Sequence, residues 1–153
     1  MEENEIKILI FNLNGESFAT EIKDVERILG YVSPTDVPDV PSFVEGVINH
    51  ENSILPIINL NKKFKFSAIK SENELENKKI VVIKREEKKF GVIVDTVEEV
   101  CDVSSEVFEE APQITVTDMS KKYIKGLLKL DGRIVILLKI GDILTEEEEN
   151  LIF

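Results

Sequence analysis

The chain contains the same pattern twice, and this internal repeat constrains its fold more than any other feature. At an offset of 72 positions, residues 7–28 align without gaps on residues 79–100. Five positions are identical and five more keep an apolar residue on both sides. The identical pairs are Lys7/Lys79, Ile8/Ile80, Phe18/Phe90, Val25/Val97 and Glu26/Glu98. Self-similarity at a fixed offset is typical of a structural unit that the chain uses more than once.

A second block repeats in the same order, at an offset of 80 positions. Residues 43–64 align there on residues 123–144, and Gly46 faces Gly126. The two offsets differ by 80 − 72 = 8 positions, which indicates an insertion in the middle loop of the second copy. The chain therefore reads as one unit written twice.

Each copy is predicted to consist of short strands joined by tight turns. The strands are apolar runs rich in β-branched and aromatic residues. Asn14-Gly15 and Asp131-Gly132 are strong hairpin signals, because both central turn positions need a positive φ. Turns are also predicted at Glu51-Asn52 and at 86–88. Many short strands with tight turns indicate small antiparallel barrels, so the fold class is mainly β.

Two segments leave alternatives open or interrupt the strands. KDVERIL (23–29) and its repeat DTVEEVC (95–101) carry apolar residues three positions apart, which fits either a short strand or one helical turn. Pro34, Pro38 and Pro41 cannot lie in a central strand, because proline lacks the N–H donor. We expect this proline stretch to form an extended edge segment.

The repeat also predicts the domain organisation. One domain of 153 residues would hold a first subdomain at approximately 6–66 and a second at approximately 79–144, with a polar connection at 67–78. A helix is predicted at 145–153, because Thr145 and the glutamate three residues later have the spacing of a capping box. Each subdomain alone is near the lower size limit for a stable core, so we expect the two to pack around a shared one.

Charge and apolar runs exclude two classes of partner. The net charge of the chain is −11, divided into −6 up to Lys78 and −5 beyond it. Nucleic-acid binding needs a basic face, and neither half has one. The apolar runs are far shorter than the 20 or so residues of a membrane span. We therefore expect no bound nucleic acid and no direct membrane insertion. The single cysteine indicates a reducing compartment, so we expect a cytoplasmic protein.

The residues that usually carry catalysis or metal binding are scarce. The chain has one histidine, His50, and one cysteine, Cys101, so no His/Cys zinc cluster and no intramolecular disulfide is expected. The sequence holds no glycine-rich phosphate loop and no Gly-x-Ser-x-Gly elbow. We interpret His50 as a hairpin residue and Cys101 as an inert thiol. The sequence therefore predicts no enzyme, no metal and no cofactor.

Three segments of the chain are specific in their order and spacing. They are PSFVEGVINHENSILPIINL (41–60), FGVIVDTVEEV (90–100) and YIKGLLKLDGRIVILLKI (123–140). Through these segments the sequence resembles, from about Ile6 to Leu144, the CheW-like chemotaxis coupling proteins. The resemblance implies two SH3-like five-stranded β-barrel subdomains packed around a shared core.

The resemblance also implies a function. Such proteins are non-enzymatic adaptors that couple the cytoplasmic signalling tip of methyl-accepting chemoreceptors to the regulatory domain of the histidine kinase CheA. The protein is then expected in the cytoplasm, at membrane-associated receptor arrays that it reaches through its partners. The alternative is a divergent scaffold that serves another chemosensory-type array with altered partner specificity.

Two sets of site residues follow from the resemblance. The receptor-binding set comprises Val25, Ile28, Val97 and Val100, for which core packing is the alternative. The rim that contacts the kinase or another partner comprises Arg27, Gly46, Asn49, Glu51 and Asn52. For Gly46, a tight backbone position is favoured over direct contact.

Two charges of the rim depart from the family pattern. The family's Leu-Arg-Gly is His50-Glu51-Asn52 here, so an acid replaces the usual arginine. Arg27 stands where the family tends to carry an acid. We hypothesise that Arg27 and Glu51 form a charge pair with exchanged signs, which would influence partner choice more than stability.

Overall fold

The computed structural model describes residues 5–66, 77–104, 108–109 and 123–153, which form eleven strands and two α-helices. The strands of the first half are β1 (Glu5–Leu13), β2 (Glu16–Glu21), β3 (Val25–Gly30), β4 (Val44–His50) and β5 (Ser53–Asn59). Those of the second half are β6 (Lys79–Arg85), β7 (Lys88–Val94), β8 (Thr96–Ser104), β9 (Phe108–Glu109), β10 (Ile124–Leu130) and β11 (Arg133–Leu138). The helices are α1 (Leu60–Lys63) and α2 (Glu146–Ile152). Most of the predicted connection, and the region of the predicted insertion apart from β9, lie outside the described residues.

The predicted hairpin turns are confirmed. Asn14 and Gly15 join β1 to β2 with φ values of 53° and 82°. The turn between β4 and β5 has φ 53° at Glu51 and 64° at Asn52. Asp131-Gly132 between β10 and β11 follows the same pattern, whereas the turn between β6 and β7 has a positive φ at Glu86 alone. Positive φ at these positions gives the turns a twist that matches the flanking strands.

The segments with open alternatives are also resolved. Residues Ile22–Asp24 form a single 3-10 turn and the chain then continues as β3, whereas the repeat segment is strand from Thr96 onward. The proline stretch lies outside the named strands. It touches the sheet through one antiparallel bridge between Thr35 and Val47, as an edge segment does.

The strand order corrects the predicted subdomain boundaries. One sheet has the order β8-β1-β2-β11-β10-β9 and the other has the order β3-β6-β7-β5-β4. Each sheet therefore combines strands from both halves, and neither 6–66 nor 79–144 forms a barrel by itself. The repeat shows which segments are equivalent. Because equivalent strands have the same apolar pattern, the sequence does not determine whether a strand pairs with strands of its own half or of the other half.

The exchange of strands is reciprocal and follows an approximate two-fold symmetry. The parallel pairing of β5 with β7 aligns Ile57 with Gly91, and that of β11 with β2 aligns Leu137 with Ala19. These pairs are related by the offsets of 80 and 72 positions. The β-bulges repeat too, because Glu26 in β3 and Glu98 in β8 are both extra residues without a partner across the ladder.

Three apolar clusters fill the interior. One belongs to the six-stranded sheet and includes Ile10 and Leu137, and another belongs to the five-stranded sheet and includes Ile57 and Ile93. The largest cluster draws residues from both sheets and is called the shared core below. Its strand members are Leu9, Phe11, Leu13, Phe18, Val44, Ile58, Val81, Ile83, Phe90, Val92, Val94 and Leu138. The prediction of two β-subdomains around a shared core is confirmed.

The C-terminal helix α2 begins at the predicted capping box. The Thr145 hydroxyl accepts a hydrogen bond from the Glu148 backbone N–H, and the Glu148 carboxylate accepts one from the Thr145 N–H. Glu148 also accepts hydrogen bonds from Lys63 Nζ at 2.8 and 2.9 Å, and Arg85 donates to Glu149 at 2.8 Å. The helix is thus fixed to the end of β6 and to α1.

Candidate partner-binding surface

Two exposed apolar side chains lie at equivalent positions of the repeat. Ile28 on β3 is 39% exposed and Val100 on β8 is 47% exposed. Ile28 lies opposite Val81 across the ladder, and Val100 lies opposite Leu9. Directly opposed residues of an antiparallel pair share one face of the sheet. Because both ladder partners belong to the shared core, Ile28 and Val100 lie at its solvent-exposed margin, each on an outer strand of its sheet.

The other two residues of the predicted receptor-binding set lie deeper. Val25 and Val97 are half-buried and pack against the shared core. Their ladder partners, Ile83 and Phe11, are fully buried members of that core. The four residues therefore divide into two pairs. Val25 and Val97 pack against the core, whereas Ile28 and Val100 are accessible to a partner.

The rim of the five-stranded barrel brings together the two residues with exchanged charges. Arg27 Nη2 lies 3.3 Å from Glu51 Oε2, and both side chains are about half exposed. The hypothesised pair is confirmed as a contact. This contact joins the two outer strands of the five-stranded sheet, because Arg27 lies in β3 and Glu51 directly follows β4.

The remaining rim residues divide into exposed and structural positions. Asn49 and Asn52 are exposed at the β4–β5 turn, where they are accessible to a partner. Gly46 is buried with φ +140°, and a Cβ at this position would lie 2.0 Å from the Thr35 carbonyl oxygen. Gly46 is thus required for close approach of the proline stretch, as the tight-backbone reading expects.

The second family motif also has a structural role here. The Asp95 carboxylate accepts hydrogen bonds from the Asn14 backbone N–H and from Asn61 Nδ2, both at 2.9 Å. Lys78 Nζ lies 3.5 Å from the same carboxylate. Asp95 therefore ties the β1–β2 turn to α1 at the junction of the two halves.

Sequence reasoning missed two charged residues of the rim. Glu26, the bulge residue of β3, lies 2.9 Å from Lys89 Nζ, and its other carboxylate oxygen lies 3.9 Å from His50 Nε2. The hydrogen bond from Lys89 holds the pKa of Glu26 below its ordinary value. The identity of Glu26 with Glu98 in the repeat was the sequence signal for this position.

A groove opens beside the β4–β5 turn. It has a volume of about 620 Å³ and runs from His50 and Glu51 to the end of α2. Ile54 is 70% exposed and Phe153 is 45% exposed, so the groove joins charged rim residues to apolar ones. This combination is typical of a surface for protein partners.

The single cysteine, Cys101, is not activated. Burial raises the pKa of its thiol, which disfavours the reactive thiolate and agrees with its interpretation as inert.

Three side chains that can bind a metal ion lie close together at the rim. In the parts of the chain that the structure describes, Glu26, His50 and Glu51 are a group whose ligand atoms all lie within 4.8 Å of one another. These side chains come from two strands and a turn.

Comparison with known proteins identifies the family. A sequence model of the CheW-like domain matches residues 7–148. The chain belongs to the CheW-like family. The chemotaxis protein CheW of Klebsiella aerogenes is 33% identical over 146 residues, which cover 95% of this chain and 86% of that protein. The chemotaxis protein CheW of Thermotoga maritima is 32% identical, over 93% of this chain and 89% of that one.

The structural comparison agrees with the family assignment. The crystal structure of the scaffolding protein TtCheW from Thermoanaerobacter tengcongensis superposes with a TM-score of 0.77 at 31% identity, covering 88% of each chain. The two-subdomain SH3-like architecture is therefore that of the CheW-like fold. None of the helices in the described residues is long and apolar enough to cross a membrane.

Proposed function

We propose that this protein is a chemotaxis adaptor without enzymatic activity, which couples chemoreceptors to the histidine kinase CheA and transmits receptor state to the kinase. Membership of the CheW-like family carries the proposal. In the cell, the protein would be located in the cytoplasm at membrane-associated receptor arrays, to which its partners recruit it.

The receptor tip would bind along the exposed margin of the shared core. Ile28 and Val100 are apolar, exposed and equivalent in the repeat. A helical receptor tip offers an apolar stripe that such a margin can bury. Val25 and Val97 would support this surface from below, because they connect it to the shared core.

Binding of purified receptor signalling domain to Ile28→Asp and Val100→Asp variants tests this surface. Each variant should bind at least tenfold more weakly than the wild type, since a carboxylate would be desolvated in the interface. Ile134→Asp is the matched control, because Ile134 is 59% exposed and lies outside the proposed surface. Equal weakening by all three variants, or no weakening by the first two, would contradict the proposal.

The kinase would contact the rim formed by Arg27, Asn49, Glu51 and Asn52, with Gly46 shaping the backbone behind it. The exchanged charges of Arg27 and Glu51 favour one alternative, a scaffold with altered partner specificity. We expect this protein to couple poorly to a kinase adapted to arginine at the position of Glu51. The Glu51→Arg variant should bind such a kinase more tightly than the wild type, and equal binding would count against the specificity argument.

A further inference from the structure

His50 carries a buried nitrogen without a hydrogen-bond partner, and two carboxylates face it. The imidazole is only 10% exposed, and Nε2 has no hydrogen-bond partner. Nε2 lies 3.9 Å from Glu26 Oε2 and 3.9 Å from Glu51 Oε1. These distances exceed hydrogen-bonding range. A buried polar atom left unpaired is unfavourable, so a group able to bind all three atoms would stabilise this arrangement.

A metal ion fits this spacing better than a direct hydrogen bond does. Zinc binds imidazole nitrogen and carboxylate oxygen at about 2.0–2.2 Å, so two of its ligand atoms lie about 3.3–3.6 Å apart at tetrahedral angles. Each carboxylate oxygen would have to move about half an ångström closer to His50 Nε2. The two carboxylate oxygens, which lie within 4.8 Å of each other, would have to approach by at most about 1.5 Å. Glu51 can make that movement, because its side chain is half exposed at a turn.

The second oxygen of each carboxylate already has a cationic partner. Glu51 Oε2 contacts Arg27 Nη2 at 3.3 Å, and Glu26 Oε1 contacts Lys89 Nζ at 2.9 Å. Lys89 also reaches the Glu26 oxygen that faces His50, at 3.2 Å, and would shift fully onto the other oxygen when a metal binds. Such outer contacts orient carboxylate ligands and reduce the repulsion between them.

We propose that Glu26, His50 and Glu51 form a binding site for a divalent transition-metal ion, with zinc as the ion of choice. One nitrogen and two oxygens suit zinc, whereas magnesium and calcium favour oxygen alone. Three protein ligands leave a fourth position for water or for a donor atom of a partner. The proposal does not depend on the adaptor role, because zinc binding is a property of this chain without a partner.

The second half of the chain provides an internal control. The repeat places Glu98 at the position of Glu26, Leu130 at that of His50 and Asp131 at that of Glu51. Leucine cannot bind a metal, and Glu98 is instead paired bidentately with Arg133 at 2.9 and 3.1 Å. The equivalent rim should therefore not bind zinc.

Titration of the full chain with ZnCl₂ tests the proposal, followed by imidazole NMR and by competition with a chromophoric zinc chelator. The chain has a single histidine, so its imidazole resonances need no assignment. They should shift and saturate at one zinc per chain. His50→Gln and Glu51→Gln should each weaken zinc binding about tenfold or more. Asp131→Asn and Cys101→Ser should leave it within twofold of the wild type.

Three results would overturn the proposal. The first is an unchanged imidazole spectrum at stoichiometric zinc, and the second is an equal loss of affinity in Asp131→Asn or Cys101→Ser. The third is an equal response to MgCl₂, which would indicate attraction of cations to an acidic surface only. If circular dichroism shows that His50→Gln does not fold, the half-exposed Glu51→Gln variant still decides the outcome.

Discussion

The two rims of the molecule are built on equivalent residues but differ in chemistry. Both begin with a bulge glutamate, Glu26 in β3 and Glu98 in β8. Glu26 pairs with Lys89 from β7, whereas Glu98 pairs with Arg133 from β11. The hydrogen bond from its cation lowers the pKa of each glutamate. The fold thus fixes where the carboxylate lies, and the neighbouring side chains determine what it can bind.

The pair beside each bulge differs even more. On the first rim Arg27 contacts Glu51. The equivalent residues on the second rim are Glu99 and Asp131, which have the same charge. One rim therefore has compensated charges and the other is acidic. A partner that recognises opposite charge would distinguish the two rims, even though their backbones follow the same plan.

The largest expected effect concerns Gly46, the rim residue with a positive φ and a close contact with the proline stretch. Gly46→Ala should lower the free energy of unfolding by about 3 kcal/mol or prevent folding, because its Cβ would meet the Thr35 carbonyl while φ stays positive. Denaturant unfolding measures the change. Gly30→Ala is the control, since a Cβ there meets nothing within 4 Å. Similar losses in both variants would remove the special role of Gly46.

The next effect compares the two barrel interiors at one repeat position. Gly91 corresponds to Ala19, yet a Cβ on Gly91 would lie 2.7 Å from Ile80 Cγ2 and 2.8 Å from Ile57 Cδ1. Gly91→Ala should therefore destabilise the protein by about 2 kcal/mol through overpacking. Ala19→Gly should cost about 1 kcal/mol, through lost packing and added chain entropy. Stabilisation by Gly91→Ala would show that the two interiors are more alike than the structure indicates.

A third difference is the contact of the C-terminal segment with the five-stranded sheet and α1. In α2, Glu149 contacts Arg85 of β6 and Glu148 contacts Lys63 of α1, and Phe153 after the helix contacts Phe90 of β7. Glu148→Gln should lower the free energy of unfolding at pH 7 by about 1–2 kcal/mol. Lys63 would then keep a charge that is 7% exposed without its carboxylate partner. Thermal unfolding measures the change, and Glu147→Gln, one position away, serves as control.

The same contact predicts a pH dependence. Partial burial would raise the pKa of Glu148, but the hydrogen bonds from Lys63 and from the Thr145 backbone outweigh it, so the pKa lies below the ordinary 4.5. A carboxylate with a lowered folded-state pKa stabilises the fold above its unfolded pKa, and this contribution is lost as the pH falls through the folded-state pKa. The difference between wild type and Glu148→Gln should be constant above about pH 6 and shrink toward acid. A constant difference down to pH 3 would contradict this account.

The smallest expected effect concerns the charge pair of the first rim. A double-mutant cycle on Arg27→Ala and Glu51→Ala should give a coupling of about 0–1 kcal/mol in unfolding free energy, because both side chains are half exposed. The same cycle measured on kinase binding should give a larger coupling if the pair serves recognition. Equal coupling free energies in the two measurements would show that the pair has no specific role in kinase recognition.

Sequence predicted the local elements well, because turn chemistry and the capping box are encoded by neighbouring residues. Asn14-Gly15 and Thr145 show this directly. The contact between Arg27 and Glu51 could also be predicted, since a departure from the family pattern at one position was matched at another. The strand exchange could not be predicted, because β1 and β6 have equivalent patterns and either could pair with β8. The group around His50 was missed because Glu26 lies 24 positions earlier and joins it only through the fold.

The proposed adaptor role requires this chain to link chemoreceptors to CheA. Sedimentation of chemoreceptor-containing membranes with CheA, with and without this protein, measures that link. CheA should pellet with the membranes only when the wild-type chain is present, and Val100→Asp should lose most of this recruitment while Ile134→Asp keeps it. If the amount of CheA in the pellet is the same with and without the wild-type chain, the proposed adaptor role is wrong.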